Sequence, residues 1–477
     1  MGPLRYPPSI DWELTSACNH NCIHCYNYWR GRGTQTPHSY GADEYLLLAR
    51  RIADSKPVSV QITGGEPLLV WGQAEDAIRL LIQEGICVSI NTNATLVTDD
   101  IAQFLAQNGI DAFVSFPCSR HEVFDRIVNK RGAAERAEAG IHTLLRHNVR
   151  VSLNMVVTRL NLPYVYETAH YVWKTFHLPY FSATKASFPQ NASASFQNQM
   201  LDRQEFNEML KILLRVKEET GMRVDSAWVY SLCGFRSGVV RKEFGFNRKC
   251  GCGRYNFVVD ASGNMKACGC DGVAYGNLRE TDFSNAIMRM TEWQDGSLLP
   301  EECKGCPELK YCGGGCRSDG FSAYGDRCAL DSTADPANRG QTPSDTGKPP
   351  LYDDGYTVAL PPGARLTQEA DGVRLSHKTN YAFLTDGFAR FLQQFPTFSV
   401  AQLMVTSGKS REAVSQCVDS LLIRKLLVPT VSAVGRNLPD CSRDGFSLLY
   451  SPYIDDSTGQ SASDYLDAQY NSVRHSS

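Results

Sequence analysis

Residues 18–25, Cys18-Asn-His-Asn-Cys22-Ile-His-Cys25, place three cysteines on one short loop directly after the first apolar run of the chain. Three thiolates can bind three irons of a [4Fe–4S] cube and leave the fourth iron without a protein ligand. An open coordination position suits a catalytic metal centre, whereas four protein ligands suit a structural one. The alternative is a zinc site, for which His20 or His24 would supply the fourth ligand. The spacing therefore predicts a metal centre on this loop.

Short apolar runs alternate with amphipathic segments around this loop, over residues 9–185. The predicted strands are Ile10–Leu14, Val58–Ile62, Cys87–Asn91, Ala112–Phe116, Val149–Val157 and Tyr180–Ala183. The predicted helices between them are Tyr45–Ala53, Ala74–Gln83, Ala102–Asn108, Ala134–Leu145 and Val165–Phe176. This alternation favours an α/β fold with a parallel sheet, in the form of a partial (β/α)6 barrel. In such folds the chemistry takes place at the carboxyl ends of the strands, so the cysteine loop is in the expected position.

Further polar segments follow the next strands in chain order. Thr63-Gly64-Gly65-Glu66-Pro67 follows the second, Asn91-Thr92-Asn93-Ala94 follows the third, and Ser115 ends the fourth. Together with the cysteine loop they resemble the radical S-adenosylmethionine superfamily. The resemblance implies that Cys18, Cys22 and Cys25 bind a [4Fe–4S] cluster.

The same resemblance implies a binding site for S-adenosylmethionine. Its implied contacts are His24, Gly64, Gly65, Glu66, Pro67, Asn93 and Ser115. His24 replaces the aromatic residue that the family usually places against the adenine. We expect the two glycines to let the backbone approach the ligand closely. The implied reaction is reductive cleavage of the cosubstrate to a 5′-deoxyadenosyl radical, which takes a hydrogen atom from an unactivated C–H bond.

The chain has 17 cysteines, of which nine lie between residues 250 and 328 and five are scattered singly. Clustering at short spacings favours metal binding over disulfides, and the N-terminus lacks a signal peptide pattern. We therefore expect a reducing, cytoplasmic location. A formal net charge of −3 gives no reason to expect a nucleic acid partner. No apolar stretch is long enough to predict a membrane span.

The second group of cysteines resembles the seven-cysteine SPASM domain, predicted over residues 241–331, after a radical SAM domain with its bridging region at residues 1–240. The resemblance implies one auxiliary cluster on Cys303, Cys306, Cys312 and Cys328. It implies a second on Cys250, Cys268 and Cys316, with Cys252 preferred as the fourth ligand and Cys270 and Cys233 as alternatives. Two structural zinc sites are the other interpretation. Asn256–Gly263 is predicted to form a hairpin with the glycine at its turn. The other cysteines, Cys87, Cys118, Cys417 and Cys441, are interpreted as core or incidental thiols.

The composition of residues 332–349 predicts a linker, and the composition of residues 431–477 predicts a disordered tail. Between them, strands at Tyr356–Leu360, Ala364–Gln368 and Val373–Ser376 precede helices near Asp386–Gln394, Val400–Val405 and Arg411–Leu422. This region, residues 350–430, resembles the winged-helix-like, PqqD-like recognition element of peptide maturases. Such a domain captures a leader peptide by adding it as a strand to a sheet edge.

These features predict a maturase that oxidatively cross-links a ribosomally made precursor peptide, through a thioether or a C–C bond. We expect three [4Fe–4S] clusters and an electron donor such as flavodoxin or ferredoxin. An epimerase would need a thiol hydrogen donor, for which Cys118 is the candidate. A formylglycine-generating enzyme is less favoured, because Gly269 stands where that group commonly has an aspartate. A non-enzymatic Fe–S scaffold is the remaining alternative.

Overall fold

The computed structural model describes residues 7–26, 40–187, 198–245, 249–340, 354–369, 372–377, 380–423 and 426–430. These residues form two compact units, residues 7–340 and residues 354–430. The predicted tail and Cys441 lie outside the described residues. None of the helices in the described ranges is both long and apolar enough to cross a bilayer.

The first unit is built on a sheet whose parallel strands follow one another in chain order. They are β1 (Ser9–Glu13), β2 (Ser59–Thr63), β3 (Cys87–Thr92), β4 (Asp111–Ser115), β5 (Val151–Val157), β6 (Tyr180–Lys185) and β7 (Arg223–Asp225). Their apolar side chains are buried, as expected for a parallel sheet covered by helices. The predicted parallel α/β sheet is confirmed, with each predicted strand within two residues of its observed bounds.

Helices cover this sheet and connect successive strands. They are α1 (Ala42–Asp54), α2 (Trp71–Gln83), α3 (Asp99–Gln107), α4 (His121–Val128), α5 (Ala133–Arg146), α6 (Val165–Thr175), α7 (Arg203–Thr220) and α8 (Gly238–Phe244). Helix α1 shows why these segments are helical, since Tyr45, Leu48, Ala49 and Ile52 form one buried stripe at helical spacing. The short helix α4 was not predicted.

The cysteine-rich segment continues the same sheet. Its strands are β8 (Asn256–Val259), β9 (Asn264–Lys266) and β10 (Gly276–Asn277), and its helices are α9 (Phe283–Arg289), α10 (Thr291–Gln294), α11 (Leu309–Cys312) and α12 (Arg317–Tyr324). Strand β8 pairs in parallel with β1, and β8 and β9 form the predicted hairpin. Gly263 takes a φ of 79° in its turn, a conformation that favours glycine.

Folded contacts extend beyond residue 331 into the segment predicted as a linker. The backbone N–H and the hydroxyl of Ser332 both donate to Asp319 Oδ2 at 2.7 Å. Thr333 is buried, and a short 3₁₀ helix follows at Pro336–Asn338. The first 9 residues of that segment, 332–340, therefore belong to the first unit.

The second unit has an α+β architecture with its own core. Its elements are β11 (Thr357–Ala359), β12 (Arg365–Glu369), β13 (Gly372–His377), β14 (Asn380–Leu384), α13 (Asp386–Gln394), β15 (Thr397–Ser399), α14 (Val400–Ser407), α15 (Arg411–Ile423) and β16 (Val428–Pro429). The strands form two antiparallel sheets in the orders β12-β13-β14 and β15-β11-β16. Leu375, Leu392, Val400, Val414 and Val418 are fully buried between sheet and helices. The predicted strands and helices are present; β14, β15 and β16 were not predicted.

A candidate active site at the carboxyl ends of the strands

A cleft with an empty volume of about 1150 Å³, partly open to solvent, lies at the carboxyl ends of β1 to β6. It brings together nearly all the residues that the sequence places in the site. Those on its wall are Cys18, Cys22, Cys25, His24, Gly64, Gly65, Glu66, Asn93 and Ser115. Pro67 is buried behind them, at the start of the 3₁₀ helix Pro67–Val70.

The two glycines after β2 hold the cysteine loop against the sheet. Gly65 N donates to Thr15 O at 2.6 Å, and Glu66 N donates to Ala17 O at 2.8 Å. A Cβ on Gly65 would lie 1.9 Å from Ala17 O, and one on Gly64 would lie 2.5 Å from Thr15 O. Both glycines also line the cavity, and their expected close approach to a ligand stays a prediction. Within the protein, the atoms that they approach belong to the chain entering the cysteine loop. The two glycines therefore help to fix the position of the cysteines.

Helix α4 supports the other side of the cysteine loop. Asn21 N donates to Val128 O at 3.0 Å, and Ile23 N donates to Ile127 O at 2.9 Å. The last carbonyls of a helix lack partners within it, so they are free to accept such bonds. The cysteine loop is therefore hydrogen-bonded to the segment after β2 on one side and to the C-terminal end of α4 on the other.

Glu66 connects this loop to the segment after β3. Its Oε1 accepts from Thr92 Oγ1 at 2.7 Å and from Leu68 N at 3.2 Å, while Oε2 accepts from Asn93 N at 2.8 Å. Burial raises the pKa of Glu66 to about 7, against the lowering effect of these donors. The carboxylate thus acts within the protein as the centre of a buried hydrogen-bond network.

Asn93 extends this network to the cysteine loop itself. Its Nδ2 donates to Asn19 Oδ1 at 2.8 Å, and its Oδ1 accepts from the hydroxyl of Thr95 at 2.6 Å. Asn19 Nδ2 in turn donates to Thr95 Oγ1 at 2.8 Å. Ala94 takes a φ of 60°, in the left-handed region, where glycine would be unstrained. Asn93 is therefore as much a positioning residue for the loop as a candidate ligand contact.

His24 lies on the cavity wall with its Nδ1 buried and without a hydrogen-bond partner among the described residues. Burial lowers its pKa to about 4, so the ring is neutral at pH 7. A neutral, flat ring in this position has the chemistry needed to pack against a nucleobase.

Several wall residues on β5, β6 and the following loops were missed by the sequence analysis. Asn154 Oδ1 accepts from Thr184 Oγ1 at 2.8 Å, and both side chains are buried. Asn154 carried a usable signal, because it is a polar residue inside the apolar strand Val151–Val157. For Lys185, nothing in the sequence signals that the side chain lies at the cavity. Its Nζ bonds Asp319 Oδ1 at 2.5 Å, and the two side chains are 3% and 4% exposed. Lys185 lowers the pKa of Asp319 against the raising effect of burial.

Cys118, the candidate hydrogen donor, is not on the cavity wall. It is fully buried in the core, and its Sγ accepts from Arg120 N at 3.4 Å. Burial raises its pKa, which disfavours a thiolate. The structure places this thiol as part of the packing, in agreement with its interpretation as a core residue and not with a role at the cavity.

The cysteine-rich segment contains one group of thiols and most members of a second. In the first, a hydrogen-bonded chain joins Cys250 to Cys252, Cys252 to Cys268 and Cys268 to Cys270, and Cys316 is an electrostatic neighbour of Cys250 and Cys268. The preferred fourth ligand, Cys252, and the alternative Cys270 both belong to this group. Within the described ranges, no three His, Cys, Asp or Glu side chains are arranged to bind a single metal ion.

The second group shares a separate cavity. Its thiols are those of Cys233, Cys303, Cys306 and Cys312. Cys328, predicted to complete this set, is not on the wall, and its Sγ donates to Ser297 O at 3.5 Å. Cys233, considered only as an alternative ligand in the first group, lines this cavity.

Residues 12–172 match the family described as the Radical SAM superfamily, which binds S-adenosylmethionine and a [4Fe–4S] cluster. Three cysteines on one loop, facing a cavity at the carboxyl ends of a parallel sheet, fit both ligands. Fold, family match and site together define a radical SAM domain, and with it an enzyme. The zinc interpretation of the first cysteine motif is thereby set aside.

Among known proteins, the chain is 26% identical over 347 residues to an AdoMet-dependent heme synthase of Oleidesulfovibrio alaskensis, covering 67% of this chain and 85% of that protein. It is 25% identical over 335 residues to the mycofactocin maturase MftC of Mycolicibacterium smegmatis, covering 67% and 80%. Two solved structures share its fold. One is anSMEcpe with bound AdoMet and the Kp18Cys peptide, with a TM-score of 0.56, 20% identity and coverage of 68% and 93%. The other is Streptococcus suis SuiB bound to its precursor peptide SuiA, with a TM-score of 0.55, 15% identity and coverage of 69% and 76%.

Proposed function

We propose that this enzyme is a peptide maturase that oxidatively cross-links a ribosomally synthesised precursor peptide. The observation that carries the proposal is the combination of a three-thiol cavity with a second unit that has its own core and an open sheet. Relatives and structural neighbours named as a maturase, as bound to a precursor peptide or as bound to a peptide support a peptide substrate.

The chain's own residues would bind and orient the reactants. Cys18, Cys22 and Cys25 would hold the cluster, while Glu66 and Asn93 keep their loop in place. When bound, the cluster and S-adenosylmethionine supply a 5′-deoxyadenosyl radical, which accepts one hydrogen atom from the substrate.

Cross-linking removes two hydrogens from the peptide. One leaves as the hydrogen atom that completes 5′-deoxyadenosine, and the other leaves as a proton and one electron. The two thiol groups of the cysteine-rich segment would hold auxiliary [4Fe–4S] clusters that accept that electron. A SPASM domain, as proposed for this segment, would provide the electron acceptor that an oxidation needs. A flavodoxin or ferredoxin would exchange electrons with the clusters. Oxygen-sensitive clusters and 17 cysteines suit the reducing cytoplasm.

The second unit would bind the leader of the precursor. In the sheet β12-β13-β14, the strand β12 pairs with β13 on one side, and the described residues place no strand on its other side. An extended leader can add to such an edge through main-chain hydrogen bonds. This function is what a PqqD-like recognition element performs.

A tetrapyrrole substrate is the second candidate, favoured by the similarity to AdoMet-dependent heme synthases. The second unit argues for a peptide, because a small planar substrate gives no role to an extra α+β domain with an open sheet edge. A formylglycine product is less favoured, since Gly269 offers no carboxylate after Cys268.

The test is anaerobic reconstitution of the full chain with iron, sulfide, S-adenosylmethionine and dithionite. We expect release of 5′-deoxyadenosine, which a Cys25→Ala variant should lose. A precursor peptide encoded next to this gene should become two hydrogens lighter, with the bond located by tandem mass spectrometry. No release of 5′-deoxyadenosine would reject the enzyme. Release with an unchanged peptide mass would reject cross-linking, and conversion of a porphyrin instead would favour the second candidate.

A further inference from the structure

Cys233 lies far from the other cysteines of the second thiol group in sequence but beside them in the fold. It is part of the 3₁₀ helix Leu232–Gly234, before the cysteine-rich segment begins. Its thiol shares a cavity wall with Cys303, Cys306 and Cys312. It is also an electrostatic neighbour of each of these three side chains. Four cysteines from two distant parts of the chain therefore line one small cavity.

The turn that carries Cys233 is held rigidly by the rest of the unit. The backbone N–H and the hydroxyl of Ser231 donate to Asp331 Oδ2 at 2.9 and 2.6 Å. Gly234 O accepts from Asn207 Nδ2 at 2.9 Å, and a Cβ on Gly234 would lie 2.3 Å from Thr333 O. Backbone held this closely on both sides fixes where the Cys233 side chain can reach.

This turn also makes a direct contact with the neighbouring thiol. Leu232 N donates to Cys312 Sγ at 3.3 Å. A backbone N–H bonded to sulfur favours the thiolate, and such bonds help to set the potential of iron–sulfur clusters. The backbone next to Cys233 therefore donates a hydrogen bond to Cys312, a thiol that the resemblance to the SPASM domain assigns to the cluster.

The other candidates for a fourth ligand fit less well. Glu308 is on the same cavity wall, but its carboxylate is paired with the guanidinium of Arg241. A carboxylate is also a harder ligand than the three thiolates beside it. Cys328 is outside the wall, where its thiol bonds Ser297 O and its N–H bonds Asp326 Oδ1 at 2.9 Å.

We infer that Cys233, and not Cys328, completes the set of four thiolates formed with Cys303, Cys306 and Cys312. The inference rests on the proposed auxiliary clusters, but it concerns which side chains bind one of them. It changes the ligand set that the resemblance to the SPASM domain implies, and it makes the bridging region a part of the metal site.

Differential alkylation of the full chain tests the inference without a substitution. The reconstituted and the metal-free proteins are treated anaerobically with iodoacetamide, and each cysteine is followed by peptide mass spectrometry. We expect reconstitution to slow the modification of Cys233 at least about tenfold, since a metal-bound thiolate is shielded. Cys328 should react at the same rate in both forms. Protection of Cys328 with free reaction of Cys233 would overturn the inference.

Substitutions supply the second test, in a background in which Cys18, Cys22 and Cys25 are alanine, so that all bound iron belongs to the cysteine-rich region. Cys233→Ala should lose up to about four irons with their sulfides, or convert one cluster to a three-iron form visible by electron paramagnetic resonance. The matched Cys328→Ala variant should keep the iron and spectra of its parent. Gel filtration and circular dichroism check that both variants are folded.

The opposite pattern, with iron lost from Cys328→Ala and kept in Cys233→Ala, would overturn the inference. A parent that binds no iron would also overturn it. The proposed function is judged separately, because release of 5′-deoxyadenosine by the unsubstituted chain depends on the first cysteine loop.

Discussion

At the scale of single residues, the site depends on side chains that position other residues. Glu66 shows this most clearly, because its carboxylate accepts hydrogen bonds from three protein groups, on Leu68, Thr92 and Asn93. A carboxylate in this position has two consequences that can be measured. It makes the stability of the first unit depend on pH, and it couples the loops after β2 and β3.

We expect Glu66 to make the first unit less stable as the pH rises. Its folded pKa, about 7, is above the value of 4.5 for an exposed glutamate, so the folded state keeps its proton to higher pH. The stability that this proton provides is complete below pH 4.5 and is lost as the pH rises to about 7. At 1.36 kcal/mol per unit, the loss is roughly 3 kcal/mol.

The measurement is urea unfolding of the metal-free protein at pH 5 and pH 7.5, with Glu66→Gln as the variant that cannot titrate. Tryptophan fluorescence reports the first unit alone, because all six tryptophans precede residue 340. The difference in stability between the two pH values should shrink in the variant, while an exposed control, Glu84→Gln, should leave it unchanged. An equal pH difference in Glu66→Gln and wild type would show that the carboxyl does not titrate in this range.

Gly65→Ala should disrupt the metal site through the backbone. Its new Cβ would lie 1.9 Å from Ala17 O, one residue before Cys18, so the cysteine loop must move. We expect loss of iron from the first cluster and loss of 5′-deoxyadenosine release. Gly72→Ala is the matched control, because a Cβ on Gly72, within α2, would meet nothing within 4 Å. The control should keep its iron and gain about 0.5–1 kcal/mol of stability from helix propensity. Full activity in Gly65→Ala would contradict this account of the glycine pair.

At the scale of elements, the order of strands was predictable and the contacts between distant segments were not. Apolar runs and helical stripes predicted β1 to β6 because these patterns are local. The prediction ended β6 at Ala183, since Thr184 and Lys185 break the apolar run, yet these two residues reach the cavity. Helix α4 was missed because it is short. It matters for the site because its last carbonyls accept hydrogen bonds from the cysteine loop.

Long-range pairing accounts for the remaining differences. The parallel contact of β8 with β1 and the position of Cys233 beside Cys312 join residues far apart in the sequence. Cysteine spacing predicted that the thiols bind metal, and the resemblance to the SPASM domain named most of the cysteines that lie together in each group. Spacing contains no information on which distant thiol folds back beside a given group. Cys233 was therefore considered only as an alternative ligand in the first group, while the resemblance to the SPASM domain assigned Cys328 to the second.

The ion pair of Lys185 with Asp319 is a second long-range contact with a testable energy. It joins the end of β6 to α12, and both side chains are almost completely buried. Removing one partner leaves an unpaired buried charge, so Lys185→Met should destabilise the first unit by about 3–5 kcal/mol. Removing both charges in Lys185→Met/Asp319→Leu should recover part of that loss.

Urea unfolding followed by tryptophan fluorescence measures all four corners of this double-mutant cycle. The coupling energy is the quantity of interest, because it separates the pair from the loss of packing. If the two single losses simply add in the double variant, the pair is not coupled, and the contact between β6 and α12 depends on other residues.

At the scale of the whole molecule, the chain divides its proposed tasks between two units. Residues 7–340 contain the cavity and both thiol groups, whereas residues 354–430 contain a separate core and the strand β12, beside whose outer edge the described residues place no strand. A unit with its own buried core can in principle fold alone. The division therefore predicts that radical formation and peptide capture can be separated by truncation.

A chain ending at residue 340 should keep cosubstrate cleavage and lose efficient use of the leader. Release of 5′-deoxyadenosine depends on the cavity of the first unit, so its rate without peptide should equal that of the full chain. Modification of a precursor with its leader should fall by about a hundredfold at low peptide concentration, because the leader no longer raises the local concentration of the core peptide. A core peptide without leader is the matched control, and both chains should modify it at the same slow rate. If truncation leaves the KM for the leader-containing precursor unchanged, the second unit does not bind the leader and the recognition site lies within residues 7–340.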